Sequence, residues 1–235
     1  MSTTNIIINN FMIRNKKLIN PWPKDKKGRI NFSSIFIAPR RSGKTTLIKY
    51  FVTNILFGEF DRIFVFTSST GIEEYSEWLP KKFIFPTFRN DVVKKIMNIN
   101  SGKKKANVLI ICDDSCSRKQ KFDNELLSLY TMGRHYAISI MYATQTPTLV
   151  DNIWKENSDF IFIFKQKIYK NKEYIINTIL LGLTNENLVG RKKEFNYYMN
   201  LMNNIHAGDG YNVLVANLYK MNIEWFRTPK AYITN

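Results

Sequence analysis

Apolar residues fall in short, nearly continuous runs separated by stretches with helical spacing. Ser33–Ile37 (SSIFI), Arg62–Thr67 (RIFVFT), Asn107–Cys112 (NVLIIC) and Phe160–Phe164 (FIFIF) each predict a strand buried on both faces, while Ala137–Ala143 alternates and predicts the strand between the last two. Between them lie helical patterns. Lys44–Leu56 places Leu47, Ile48, Phe51, Val52 and Ile55 on one apolar face, with Gly58 as a stop. Shorter helices are expected at Ile72–Leu79 (closed by Pro80), Asp91–Met97, Asn124–Arg134 and Leu149–Lys155, with a brief strand at Phe83–Phe85. After Glu173 the pattern shifts to helices at Tyr174–Leu181 and Glu186–Ile205. The turn Gly208-Asp209-Gly210 and a closing β-hairpin, Asn212–Leu218 with Asn222–Phe226, follow. Strands alternating with helices predict an α/β fold with a mostly parallel sheet. Residues 1–30 carry little periodicity and read as a basic N-terminal lead-in, in which Trp22 packs onto the domain or stacks on a base. Residues 31–235 show no internal repeat or linker and read as a single domain.

The chemistry sits where the strands end. The first strand runs into Ala38-Pro39-Arg40-Arg41-Ser42-Gly43-Lys44-Thr45-Thr46, a phosphate-binding loop whose first glycine is replaced by alanine. Unpaired N–H groups and the dipole at a helix start favour an anion there. Gly43 lets the backbone approach phosphate oxygens, Lys44 reaches the β- and γ-phosphates of ATP, and the Thr45 hydroxyl suits Mg²⁺. The third long strand ends in Asp113-Asp114: Asp113 for the metal, Asp114 for orienting or deprotonating a water. The fourth ends at Gln145, whose amide can bond both that water and the γ-phosphate. Ligands of such sheets bind at the carboxyl ends of the strands, so all these groups are expected on one edge. Each has a plainer reading: a chance Gly-Lys-Thr, an Asp114 capping a turn, an ordinary loop amide at Gln145. A further cation on the transferring phosphoryl group can come from a neighbouring subunit. Arg134 is the first candidate, with Arg40, Arg41, Arg191 and Arg227 behind it; the plain reading of Arg134 is a cation favoured at a helix C-terminus.

Charge and cysteines narrow the setting. The formal net charge is +16, from 35 Lys+Arg against 19 Asp+Glu. Such an excess points to a polyanionic partner, nucleic acid before membrane, although abundant lysine in an AT-rich genome gives the same composition. Lys103–Lys105 and Arg118–Lys121 are candidate DNA contacts, or solvated loops. No apolar run approaches the ~20 residues of a membrane span, and the N-terminal residues do not read as a secretory signal. Cys112 and Cys116 with two histidines make no zinc site and fit a reducing intracellular compartment; Cys112 reads as core and Cys116 as a loop thiol.

The segment Arg134-His135-Tyr136-Ala137-Ile138-Ser139-Ile140-Met141-Tyr142-Ala143-Thr144-Gln145-Thr146-Pro147 places an arginine before an Ala-Thr-Gln-x-Pro motif. With the loop and Asp113-Asp114, it resembles the FtsK–HerA superfamily of DNA-pumping ATPases. Within that superfamily the chain is most similar to the A32-type genome-packaging ATPases of large DNA viruses and virophages, in which Gly-Arg-His precedes the strand as Gly133-Arg134-His135 does here. The likeness covers roughly Ser33 to Phe164; Ala38 and Asp114, where many relatives have glycine and glutamate, depart from the strictest motifs. It implies a RecA-like (ASCE) P-loop NTPase with ATP and Mg²⁺ in the loop, Gln145 as sensor and Arg134 as an arginine finger. It also implies a homo-oligomeric ring, a hexamer in the family, that threads double-stranded DNA without reading sequence and loads a viral genome into a capsid. The implied setting is the cytoplasmic virus factory and the virion, with viral capsid proteins as partners and no membrane. Two other functions stay open on the residues alone: a P-loop kinase of a nucleoside or other small molecule, and a non-catalytic nucleic-acid-binding protein.

Overall fold

The computed structural model describes residues 22–115, 124–183, 190–207 and 212–227. Among these, eight strands form one sheet in the order β3-β2-β4-β5-β1-β6-β7-β8. They are β1 (Ser33–Ile37), β2 (Arg62–Thr67), β3 (Ile84–Phe85), β4 (Val108–Asp113), β5 (Ile138–Thr144), β6 (Phe160–Ile163), β7 (Asn212–Asn217) and β8 (Asn222–Arg227). Pairing is parallel from β3 through to β6 and antiparallel from β6 to β8, so the expected hairpin extends the same sheet. The continuous apolar runs have a direct cause. Successive strand residues face opposite sides, and both sides are covered. Ile35, Ile37, Ile110, Cys112, Ile161 and Ile163 enter one core, while Phe36, Leu109, Ile111, Phe160 and Phe162 enter the other.

The first core is closed by α3 (Asn90–Ile99), α4 (Asn124–Met132), α5 (Asn152–Glu156), α6 (Tyr169–Ile175) and α7 (Arg191–Ile205). The second is closed by α1 (Lys44–Tyr50), α2 (Gly71–Ser76) and the segment from Trp22 to Phe32. Trp22 is 3% exposed, so it packs rather than stacking on a base. Its ring lies 4.2 Å from Phe32, 4.9 Å from Phe160 and 5.6 Å from Phe51. The basic run Lys24–Arg29 turns back on itself, with Lys24 bridged to Ile30 and the Arg29 guanidinium held by Asp25 at 2.6 Å.

Several boundaries differ from the sequence expectation for identifiable reasons. The helix expected over Lys44–Leu56 widens after Tyr50 into a π turn, Phe51–Ile55, that seats Phe51 and Ile55 in the core. The helix after Glu173 does the same at Ile176–Leu180. The helix expected to end at Arg134 ends at Met132 and gives way to a 3-10 turn, Gly133–Tyr136. A side chain at Gly133 would press within 3.0 Å of the Ile138 carbonyl, which is why the close chain reversal into β5 falls there. Arg134 therefore lies on that turn at the amino end of β5, not at a helix terminus. Cys116, Arg118–Lys121 and Gly208-Asp209-Gly210 lie outside the described residues.

Candidate active site

The carboxyl ends of β1, β2, β4 and β5 open on one cleft of about 1300 Å³. Strand order explains the convergence: β5 lies between β4 and β1, so Gln145 emerges between the acidic pair and the loop. The loop is tied down at its start by the Ala38 N–H donating to the Thr144 carbonyl at 2.9 Å, and is closed by the Ser42 hydroxyl donating to the Pro39 carbonyl at 2.7 Å. Two of its residues are left-handed, Arg41 (φ 58°) and Gly43 (φ 81°). Glycine bears that conformation freely; at Arg41 it is strained and turns the chain sharply into α1.

Lys44 is 8% exposed, and a buried ammonium must be paired. Its Nζ lies 2.8 Å from Asp113 Oδ1 and also pairs with Asp114 Oδ2. The Thr45 hydroxyl donates to Asp113 Oδ2 at 2.8 Å, and the Gln145 amide donates to Asp114 Oδ2 at 2.9 Å. Asp114 has φ 49°, a conformation aspartate adopts more readily than most residues, and its N–H is held by the Ala143 carbonyl at 3.1 Å. That turn lifts the second carboxylate out of the strand: Asp113 stays buried while Asp114 is exposed to the cleft. Five residues expected on one edge, Lys44, Thr45, Asp113, Asp114 and Gln145, are thus linked in one bonded cluster.

Two residues in this cluster were not singled out from the sequence. Tyr75, on α2, is fully buried and its hydroxyl donates to Asp113 Oδ2 at 3.0 Å. Burial, and then the neighbouring Asp113 carboxylate, push the phenol well above its ordinary range, so it remains a donor. Gly71 makes this approach possible, since any Cβ there would collide with the Thr67 hydroxyl. Glu74 lines the cleft beside it. Its carboxyl is shifted upward by partial loss of solvation and then by Asp113, even though much of its surface still meets water. A tyrosine in a short amphipathic helix carries no local signal of such a contact.

Thr45 and Asp113 present adjacent oxygen donors, and no cluster of three His, Cys, Asp or Glu side chains occurs among the described residues. That set suits Mg²⁺, which keeps most of its waters and takes one or two protein oxygens, and it does not suit zinc. Arg134 lies elsewhere. It is exposed at the opposite end of β5, roughly 20 Å of strand from Gln145. There it lines a second cavity of about 620 Å³ with Asp159. Burial raises the Asp159 carboxyl, opposed by hydrogen bonds from Ser33 and by the Arg134 charge.

A phosphate loop on β1, an acidic strand β4 and a polar-ended strand β5 between them define an ASCE P-loop NTPase. The chain belongs to a particular family of that class: the model described as poxvirus A32 protein matches residues 23–219. It is 27% identical to protein 075L of invertebrate iridescent virus 6 over 227 residues, covering 89% of this chain and 80% of that one. It is 24% identical to protein L437 of Acanthamoeba polyphaga mimivirus over 170 residues, spanning 63% of this chain and 57% of that one. Among solved structures, the fold is similar to B204, the DNA-packaging ATPase from Sulfolobus turreted icosahedral virus. The TM-score is 0.61 at 16% identity, over 84% of this chain and 98% of that one.

Proposed function

We propose that this chain is an ATP-hydrolysing motor that moves viral double-stranded DNA into a preformed capsid, acting as a homo-oligomeric ring inside the infected cell. One observation carries the hydrolytic part: Lys44, Asp113, Asp114 and Gln145 form a single bonded cluster at one sheet edge. An acceptor-only carboxylate oriented by an amide suits the activation of water. The genome-packaging part rests on membership of the A32 family, on the fold shared with a DNA-packaging ATPase, and on the surplus of cations.

ATP would lie along the loop from Pro39 to Thr46, with backbone N–H groups at the start of α1 on its phosphates. Lys44, now shared between two carboxylates, has a triphosphate as a third and more highly charged partner. As Lys44 turns to the phosphates, Asp114 loses its cation and is left to accept a proton from the attacking water, while Gln145 holds that water in line. Thr45 and Asp113 would hold Mg²⁺, which would supply positive charge to neutralise the phosphates. Arg134 is too far along β5 to serve its own cleft, so its role as an arginine finger requires a neighbouring subunit. Lys103–Lys105 lie at the amino edge of the sheet with Arg134; Lys103 and Lys104 are exposed and the Lys105 ammonium is tied to the His135 carbonyl. They remain candidates for the sequence-independent DNA contacts.

The test is ATP hydrolysis with and without long duplex DNA. Stimulation by DNA, lost with Lys44→Ala by at least about 100-fold, is the expected result. Stoichiometric phosphate transfer to a nucleoside would establish a kinase instead, and DNA binding with no turnover would establish a non-catalytic protein.

A further inference from the structure

Five cations line the main cleft, and the phosphate loop contributes only three of them, Arg40, Arg41 and Lys44. The other two, Lys165 and Lys167, come from the segment after β6, a stretch to which the sequence pattern assigns no role. Both are exposed, and neither has an ion-pair or hydrogen-bond partner among the described residues. The residue between them is fixed. Gln166 is 2% exposed, and its amide donates to the Phe164 carbonyl at 2.9 Å and to the Ile37 carbonyl at 3.3 Å. Ile37 is the last residue of β1, directly before the loop. Gln166 therefore ties the segment to the base of the phosphate loop, while its two neighbours stay exposed and line the cleft.

Position along the sheet gives these lysines a target. The acidic pair and Gln145 stand on β4 and β5; Lys165 and Lys167 stand beyond β1, at the end of β6. From β5 to β6 is two strand spacings, about 10 Å. A nucleotide whose terminal phosphate is at Lys44 and Asp114 runs along the loop away from β5, toward β6. The charge is also in proportion: five cations against Glu74, Asp113 and Asp114 leave a surplus of positive charge for an anion.

We infer that Lys165 and Lys167 form a second cationic wall of the nucleotide site, holding the phosphate nearest the sugar, with Gln166 as the positioning residue that fixes them. This inference rests on the ATP-site reading above. It assigns the two lysines to a nucleotide phosphate rather than to DNA.

Equilibrium binding of ATP and of ADP to the full chain tests it. Lys165→Ala/Lys167→Ala should weaken both nucleotides by a similar factor, about tenfold for the loss of two charged contacts, because the phosphate nearest the sugar is common to both. Lys44→Ala should weaken ATP more than ADP. Because both lysines are exposed, the thermal midpoint of the double variant should match that of the unaltered chain. Gln166→Ala should reproduce part of the loss with both lysines present. Unchanged affinity in the double variant, or a loss confined to ATP, overturns the inference. So does retained nucleotide affinity with weakened binding to duplex DNA, which would make the lysines DNA contacts. A native chain that binds neither nucleotide overturns the site reading itself.

Discussion

Asp113 shows how much of the candidate site depends on its neighbours. Its two oxygens are claimed by Lys44, Thr45 and Tyr75, from two helices on the same side of the sheet. If Lys44 and Thr45 turn toward a bound nucleotide and metal as proposed, Tyr75 would be the remaining donor on the carboxylate. Tyr75→Phe keeps the buried ring and removes only that bond. It should raise the Mg²⁺ concentration for half-maximal hydrolysis by about tenfold, the usual range for a partner behind a metal ligand. ATP affinity measured without metal should stay unchanged. A fall in turnover at every Mg²⁺ concentration, with no shift in the midpoint, would assign Tyr75 a role in packing alone. Lys44, Thr45, Asp113 and Gln145 were legible as candidates because the loop after β1, the end of β4 and the residue after β5 each place a polar group with a recognisable chemistry at a strand's carboxyl end. Tyr75 and Gln166 were not, because their partners lie 38 and 129 residues away in the chain.

At the scale of elements, the strands were legible because burial on both faces leaves continuous apolar runs, and the parallel order followed from the intervening helices. The π turns ending α1 and α6 were not, since a one-residue widening leaves the apolar spacing almost unchanged. The packing of α7 on β6 gives a prediction in pH. His206, which ends α7, is 3% exposed and donates from Nε2 to the Ile163 carbonyl at 3.2 Å, while Nδ1 is buried with no partner among the described residues. Burial lowers its pKa from 6.5 to about 4, helped by the positive charges of Lys172 and Lys165. The folded state thus holds a neutral ring where the unfolded chain takes a proton. Its contribution to stability is complete above pH 6.5 and is lost progressively as pH falls toward 4, by up to about 3 kcal/mol. Replacing the ring by a group that does not titrate, His206→Gln, should lower stability at pH 7 yet flatten its decline toward pH 4. Denaturant unfolding of both chains across that interval checks this; parallel curves would contradict it.

For the whole molecule, the candidate functional groups divide between the two edges of the sheet. The carboxyl edge gathers the phosphate loop, the acids and Gln145; the amino edge carries Arg134 and the loop Lys103–Lys105. If Arg134 is the proposed finger, a monomer would carry it on the wrong side for its own cleft, and a ring that faces the amino edge of one subunit to the cleft of the next would correct that. Mixed assemblies distinguish this arrangement from a monomeric enzyme. On the proposed roles, Arg134→Ala subunits would retain a complete cleft but offer no finger, and Asp114→Asn subunits would offer the finger but lack the base. Each alone should hydrolyse ATP at least about 100-fold more slowly than the native chain, the scale of losing a transition-state charge contact. Mixed in equal amounts and allowed to exchange, they create junctions where an intact cleft meets an intact Arg134. A quarter of random junctions are of that kind, so activity should recover toward that fraction of native turnover, and the recovery should depend on protein concentration. If no ratio recovers activity while exchange is shown by labelled subunits, Arg134 does not act across an interface. Its charge near Asp159 at the second cavity then stands as a local electrostatic influence.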